Sequence, residues 1–182
     1  NTGTLTADTW NHVVLTRTYN VQWELFLNGA SLGTDTTQGL TSDFSGTEYY
    51  FGANNYSTQY YYDGQIDQVR IFSSALSATQ VTSLYDEVYC NTVSTLNIFN
   101  EGTSSCLALY EFEDDVKSTE SSGNDATEYN TVAYGGGQYK KGIIFNGSSN
   151  GVNLPDILPA NSTADSTFTC WFNTSDTSGA QQ

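Results

Sequence analysis

Tyr62-Asp63-Gly64-Gln65-Ile66-Asp67-Gln68-Val69-Arg70-Ile71-Phe72 is the stretch on which the fold class turns. From Ile66 onward it is rich in β-branched and aromatic residues, bounded upstream by Asp-Gly and downstream by Ser73-Ser74, which reads as a strand. Alternation places Asp67 on the same side as Val69 and Ile71, so the reading turns its carboxylate inward, where it needs donors, an arginine such as Arg70 or Arg17, or a cation.

The surroundings repeat the theme. Val13 and Leu15, then Trp23, Leu25 and Leu27, alternate with polar or smaller neighbours, the period of half-buried strands. Tyr19-Asn20-Val21 reads as a tight turn, and Asn28-Gly29 as a hairpin, because both residues tolerate positive φ. A further strand is expected over 47–52. Ser77-Ala78-Thr79-Gln80 is a capping-box pattern, with Val81, Leu84 and Tyr85 behind it at helical spacing, which predicts a short helix near 78–87. The pattern weakens over 91–105. Strands resume from Leu107 and Leu109, then at 131–134, 141–146, 151–154 and 166–173, with Gly135-Gly136-Gly137 read as a turn.

Composition narrows the function. Twenty acidic residues against five basic ones give a net charge of −15, which repels nucleic-acid phosphates and anionic membranes and favours solubility or divalent cations. No apolar run reaches the ~18 residues needed to span a bilayer. The expectation is no nucleic acid and no membrane insertion. Cys90 and Cys106 flank the weak region, where a disulfide would close a short loop and contribute about 3 kcal/mol. Such a bridge implies an extracellular or virion-surface setting. Cys170 shares parity with Phe168 and Phe172 and reads as a buried thiol.

Trp10-Asn11-His12-Val13-Val14-Leu15-Thr16-Arg17, Leu25-Phe26-Leu27-Asn28-Gly29 and the 62–72 stretch running on to Ala75-Leu76-Ser77 carry a family likeness. So do Leu107-Ala108-Leu109-Tyr110-Glu111-Phe112, Ser121-Ser122-Gly123-Asn124 and Ile144-Phe145-Asn146-Gly147-Ser148-Ser149. The chain resembles the laminin-G-like, concanavalin-A-like lectin/glucanase superfamily in its pentraxin-like branch, in a style similar to tandem domains of marine bacteriophage structural proteins. The resemblance implies an all-β, antiparallel jelly-roll β-sandwich. It also implies an unusual order: residues 1–90 look like the C-terminal half of a sandwich, 91–106 a linker, and 107–182 the N-terminal half. Two half-domains of neighbouring repeats, one permuted sandwich, or completion of a neighbouring chain all satisfy that order. Isolated half-sandwiches expose apolar faces and strand edges, so docking of the halves, within or between chains, is expected.

Site candidates follow. Asn54, Asn55, Tyr56, Tyr60, Tyr61 and Tyr62 form the most ligand-like stretch, since tyrosines stack on pyranose rings and amides read hydroxyls; an interface role suits the same residues. Asp67, Glu113 and Asp115 are the candidate ligands of a structural calcium, an ion that members of the superfamily often carry. Asn124 and Asp125 lie in the same acidic loop. The superfamily also raises glycoside hydrolysis, but Glu111-Phe112-Glu113-Asp114-Asp115 lacks the expected carboxylate spacing, and no catalytic residue is assigned. His12, the only histidine, has no nucleophile or metal motif around it and reads as structural. The reading is a non-enzymatic structural or assembly protein of an extracellular or virion surface, partnered by copies of itself or adjacent laminin-G-like domains. A glycan-binding adhesin is the alternative and a glycosidase the third.

Overall fold

The computed structural model describes residues 3–37, 49–53, 60–87, 106–158 and 163–175. Strands β1 (Asn11–Thr18), β2 (Gln22–Leu27), β3 (Ala30–Asp35), β4 (Tyr49–Phe51) and β5 (Asp63–Phe72) precede helix α1 (Ala78–Tyr85). Strands β6 (Cys106–Tyr110), β7 (Thr127–Tyr129), β8 (Ala133–Gly136), β9 (Lys141–Asn146), β10 (Gly151–Leu154) and β11 (Ser166–Asn173) follow, with one 3-10 turn at Ser122–Asn124.

Eight strands form one antiparallel sheet in the order β3-β2-β1-β11-β5-β9-β8, with β6 also paired to β5. A second sheet, β4-β10-β7, covers part of its face. Between them lies the main core: Ile66, Val69, Ile71, Ala108, Tyr110, Phe112, Ile143, Phe145, Val152 and Leu154, each buried. Burying one such large apolar side chain contributes about 1.5–3 kcal/mol. The opposite face of the large sheet carries α1, whose Val81 and Leu84 meet Val14, Phe26, Phe72 and Leu76. The helix starts where the sequence asks it to. Ser77 Oγ accepts from the Gln80 amide, and the Gln80 side chain accepts from the Ser77 amide at 2.9 Å.

The chain order across the sheet is the decisive feature. β11 lies between β1 and β5, pairing Val14 with Thr169 on one side and Thr169 with Arg70 on the other. A strand from the far end of the sequence therefore splits two strands of the leading block, residues 3–87. Of the nine ladders among the described strands, five join that block to residues 106–175 (β1–β11, β5–β11, β5–β6, β5–β9 and β4–β10). Neither block closes its own sheet.

Local chemistry explains two of the motifs. Asn28, at φ 49°, accepts from the His12 amide through Oδ1 at 2.8 Å, and its own amide donates to the His12 carbonyl at 2.8 Å. The Asn-Gly turn is thereby clamped to β1. Gly29, at φ 77°, sits under the Tyr85 ring, where an added Cβ would lie 3.1 Å from the ring. The expected turn at Gly135-Gly136-Gly137 is corrected: Gly135 and Gly136 belong to strand β8, and none of the three takes positive φ. Glycine serves close approach there instead, since a Cβ on Gly137 would lie 2.4 Å from the Lys141 carbonyl oxygen.

Candidate functional site

The stretch that sets the fold also builds the most unusual site, and it does so through a bulge. Thr169 pairs with Arg70 but Trp171 pairs with Asp67, so β5 places two residues, Gln68 and Val69, opposite Cys170 alone. Gln68 has φ 50°, the left-handed conformation that accommodates the extra residue. The bulge reverses the alternation. Val69 and Ile71 face the main core, whereas Asp67 shares Trp171's side, beneath α1. Asp67 is inward, as expected, and fully buried, but on the opposite face of the sheet from Val69 and Ile71.

Its donors are also not the expected arginines. Asp67 Oδ2 accepts from the Tyr139 amide at 2.9 Å. Arg70 is held by Glu87 at 2.7 Å and by Gln68 Oε1 at 3.1 Å. Arg17 lies over the rings of Tyr19 and Trp23, at 5.0 and 5.5 Å. Asp67 Oδ1 is buried with no hydrogen-bond partner among the described residues, and so is Glu113 Oε1. Burial lifts the Asp67 carboxyl to about 7, the neighbouring Glu113 charge adds to the rise, and the amides of Tyr139, Gln68 and Gln138 oppose it.

Next to this carboxylate an aromatic layer locks β11 under the helix. Trp171 lies 4.8 Å from the His12 ring, 5.6 Å from Tyr85 and 6.3 Å, edge-on, from Tyr139. Tyr139 donates its hydroxyl to the Glu87 carbonyl at 2.5 Å. His12 Nε2 and Thr169 Oγ1 are 2.7 Å apart. Burial, helped by the Arg70 charge, pushes the imidazole down to about 3. A folded-state value below the ordinary 6.5 means that stability is full above about 6.5 and is lost as pH falls toward 3. The charged and titratable groups around the ring are Arg70 from β5, with its partner Glu87, and Tyr85 from α1. His12→Gln is expected to remove about 1.4 kcal/mol per pH unit from the slope of unfolding free energy between pH 6 and 4. Denaturant titrations of both proteins across that range would measure it, and equal slopes would show that the ring is not held neutral.

A family model of the concanavalin A-like lectin/glucanases superfamily, of the laminin G type, matches residues 1–82. Residues 1–82 belong to this superfamily. No curated protein and no solved structure matches the chain. For a superfamily sandwich the question of calcium falls on Asp67, Glu113 and Asp115, and the structure separates them. The two buried, unpartnered oxygens of Asp67 and Glu113 are of the hard carboxylate type calcium takes. Asp115 does not join them: its Oδ1 accepts from the Lys117 amide at 3.1 Å at an exposed position. Among the described residues no three His, Cys, Asp or Glu side chains converge as a metal cluster. Asp67 and Glu113 are thus the two of the three expected carboxylates that the structure leaves with a buried, unpartnered oxygen.

The tyrosine-rich stretch is described only in part. Asn54, Asn55 and Tyr56 lie outside the described residues. Tyr62 donates its hydroxyl to the Asn173 carbonyl at 2.9 Å and packs against Phe145. Tyr60 is 58% exposed, and Tyr61 bridges to Ala53. Sequence reasoning missed Tyr129, 51% exposed, which pairs with Gly151 on β10. A Cβ on Gly151 would lie 2.7 Å from the Ala53 Cβ. Tyr129, Gly151, Ala53 and Tyr61 therefore run as a row along the small sheet, tyrosines at its ends and small residues between.

The acidic run shows no paired arrangement. Asp114 forms an ion pair with Lys141; β6 ends at Tyr110, short of Phe112, and Phe112 and Asp114 take positive φ, at 55° and 78°. The expected Cys90–Cys106 disulfide is not seen: Cys106 is a free, buried thiol, 3.3 Å from the Ala108 carbonyl, and Cys90 lies outside the described residues. Its place in the apolar cluster under α1, with Leu76, Val81 and Leu84, is that of a small hydrophobe, and burial pushes the thiol up to about 12. Cys170 is also free and half-buried.

Proposed function

We propose that the chain is a non-catalytic structural unit of an extracellular or virion surface, in which sandwich blocks complete one another in series. The observation that carries this reading is the insertion of β11 between β1 and β5, because it ties each block to a partner block for its fold. The large negative charge supports it by keeping an edge-rich β-protein soluble. The chain contains no described helix long and apolar enough to cross a membrane. Incubation with a panel of neutral and acidic polysaccharides is expected to release no reducing ends. Hydrolysis that disappears in Glu111→Gln would replace this reading with a glycosidase.

The second reading, glycan binding, is favoured by the Tyr129–Gly151–Ala53–Tyr61 row, whose aromatic faces suit pyranose stacking. The net charge directs it to neutral glycans. Binding of a neutral polysaccharide in affinity electrophoresis, abolished by Tyr129→Ala together with Tyr61→Ala, would put this role ahead of the scaffold.

Calcium is the cofactor of the proposal, held by Asp67 and Glu113; when bound it supplies compensation for two buried carboxylates. At a hundredfold excess over Kd, a site present only in the folded state adds about 2.7 kcal/mol. That is expected to raise Tm by roughly 5–10 °C for a chain of this length. Asp67→Asn abolishes the calcium-dependent rise. Equal melting curves with millimolar calcium and with chelator would remove the ion from the account.

A further inference from the structure

We infer that residues 106–175 exchange between chains as a unit, so that the slot between β1 and β5 accepts β11 from a second copy as well as from its own chain. This rests on the structural reading above and specifies its partner. The argument begins with the ladders. Within the leading block only β1–β2 and β2–β3 pair, and within the trailing block only β8–β9 and β7–β10, among the described strands. All other ladders cross between blocks, through seven residue pairs on β1 and six on β5 for β11 alone.

Packing follows the same division. Trp171 of the trailing block sits on His12 and Tyr85 of the leading block, and Tyr139 of the trailing block reaches Glu87. Thr167 Oγ1 accepts from the Leu76 amide at 3.0 Å and donates to the Ser74 carbonyl at 2.8 Å. None of these contacts depends on which chain supplies the trailing block. An exchanged pair therefore keeps these contacts between the described residues and differs in connection, the condition under which swapping is inexpensive.

The connection sets the balance. Segment 88–105 joins the blocks and can span at most ~60 Å when fully extended. For a connection of that length the effective concentration of the chain's own block is taken as about millimolar, as for a short flexible linker. Below that the chain closes on itself. Near or above it, as when copies are crowded on a surface, a neighbour's block competes. Reciprocal exchange gives a closed dimer, and one-way exchange gives a head-to-tail series.

Val13 and Cys170 provide the reporter. They are directly opposed across β1 and β11, and opposed antiparallel residues lie about 4.5–5.5 Å apart at Cα, within disulfide range. Full-length Val13→Cys, as a mixture of isotopically heavy and light chains, is refolded at about 5 μM and at about 1 mM, the concentration the tether estimate sets, then oxidised and mapped without reduction. The expected result is intrachain linkage to Cys170 at the low concentration and heavy-to-light linkage of up to half the cross-linked peptide at the high one. Linkage that stays intrachain at both concentrations overturns the inference. A second pair of full chains guards against a reporter that does not fold: Val14→Asp and Trp171→Asp should each fail to fold alone. Their mixture should give folded material containing both chains, and no such recovery also overturns the inference. Either failure leaves the non-catalytic reading standing, since that falls only to the hydrolysis result.

Discussion

Trp171→Ala is expected to lower the unfolding free energy by about 3–5 kcal/mol, the range for truncating a buried large aromatic side chain. Trp171 is 6% exposed, and it packs on rings from three other elements of the structure: His12 on β1, Tyr85 on α1 and Tyr139 before β9. Removing it opens a cavity at the one layer where β1, β11 and the helix meet, and frees Tyr139 from its edge-on contact. For a chain of this length the loss corresponds to a fall in Tm of roughly 6–20 °C. Trp171→Phe keeps part of the apolar contact and should lose less than half as much. Thermal and urea melts of the two variants beside the parent would measure both. A loss below 1 kcal/mol for the alanine variant would mean that β11 is not packed beneath α1.

Glu87→Ala is expected to cost about 3–5 kcal/mol for a different reason, the stranding of a buried charge. The Arg70–Glu87 pair is 2.7 Å long, with side chains 5% and 3% exposed. Deleting the carboxylate leaves a guanidinium in the interior held by Gln68 Oε1. The pair itself is not expected to be a large net stabiliser, because desolvation offsets most of the attraction. The double variant Arg70→Met with Glu87→Leu should therefore recover most of the loss. Additive losses in the double variant would instead assign the energy to packing. The position matters for the fold as well as for stability. Glu87 follows α1, its carbonyl takes the Tyr139 hydroxyl, and Arg70 lies on β5, so the pair pins the helix to the sheet and to the trailing block.

Much of the architecture was readable from local chemistry. The Asn28-Gly29 turn and the Ser77–Gln80 capping box each require only near neighbours, and each appears in the structure. Alternation did less well in β1 and β2: Val13 and Leu15 are half-buried and Leu25 is exposed, whereas the intervening Val14 and Phe26 are buried. The site was less legible. Alternation assigned Asp67 to the core side because a period of two assumes an uninterrupted strand, and nothing in Asp67-Gln68-Val69 announces a bulge. The only hint of Glu87 was that Arg70, placed within a strand, would need a counter-charge. Tyr129 was invisible as a surface aromatic because its neighbours in the row, Gly151 and Ala53, are distant in sequence. Gly135 and Gly136 misled in the other direction: three successive glycines suggest a turn, yet the first two lie in β8 and only Gly137 meets backbone closely, at Lys141.

The most direct test of the interleaved sheet is nuclear Overhauser spectroscopy of the dilute, isotopically labelled chain. The account predicts cross-strand contacts from Thr169 to both Val14 and Arg70, and from Trp171 to both His12 and Asp67. Contacts running straight from β1 to β5, with β11 absent from between them, would contradict it.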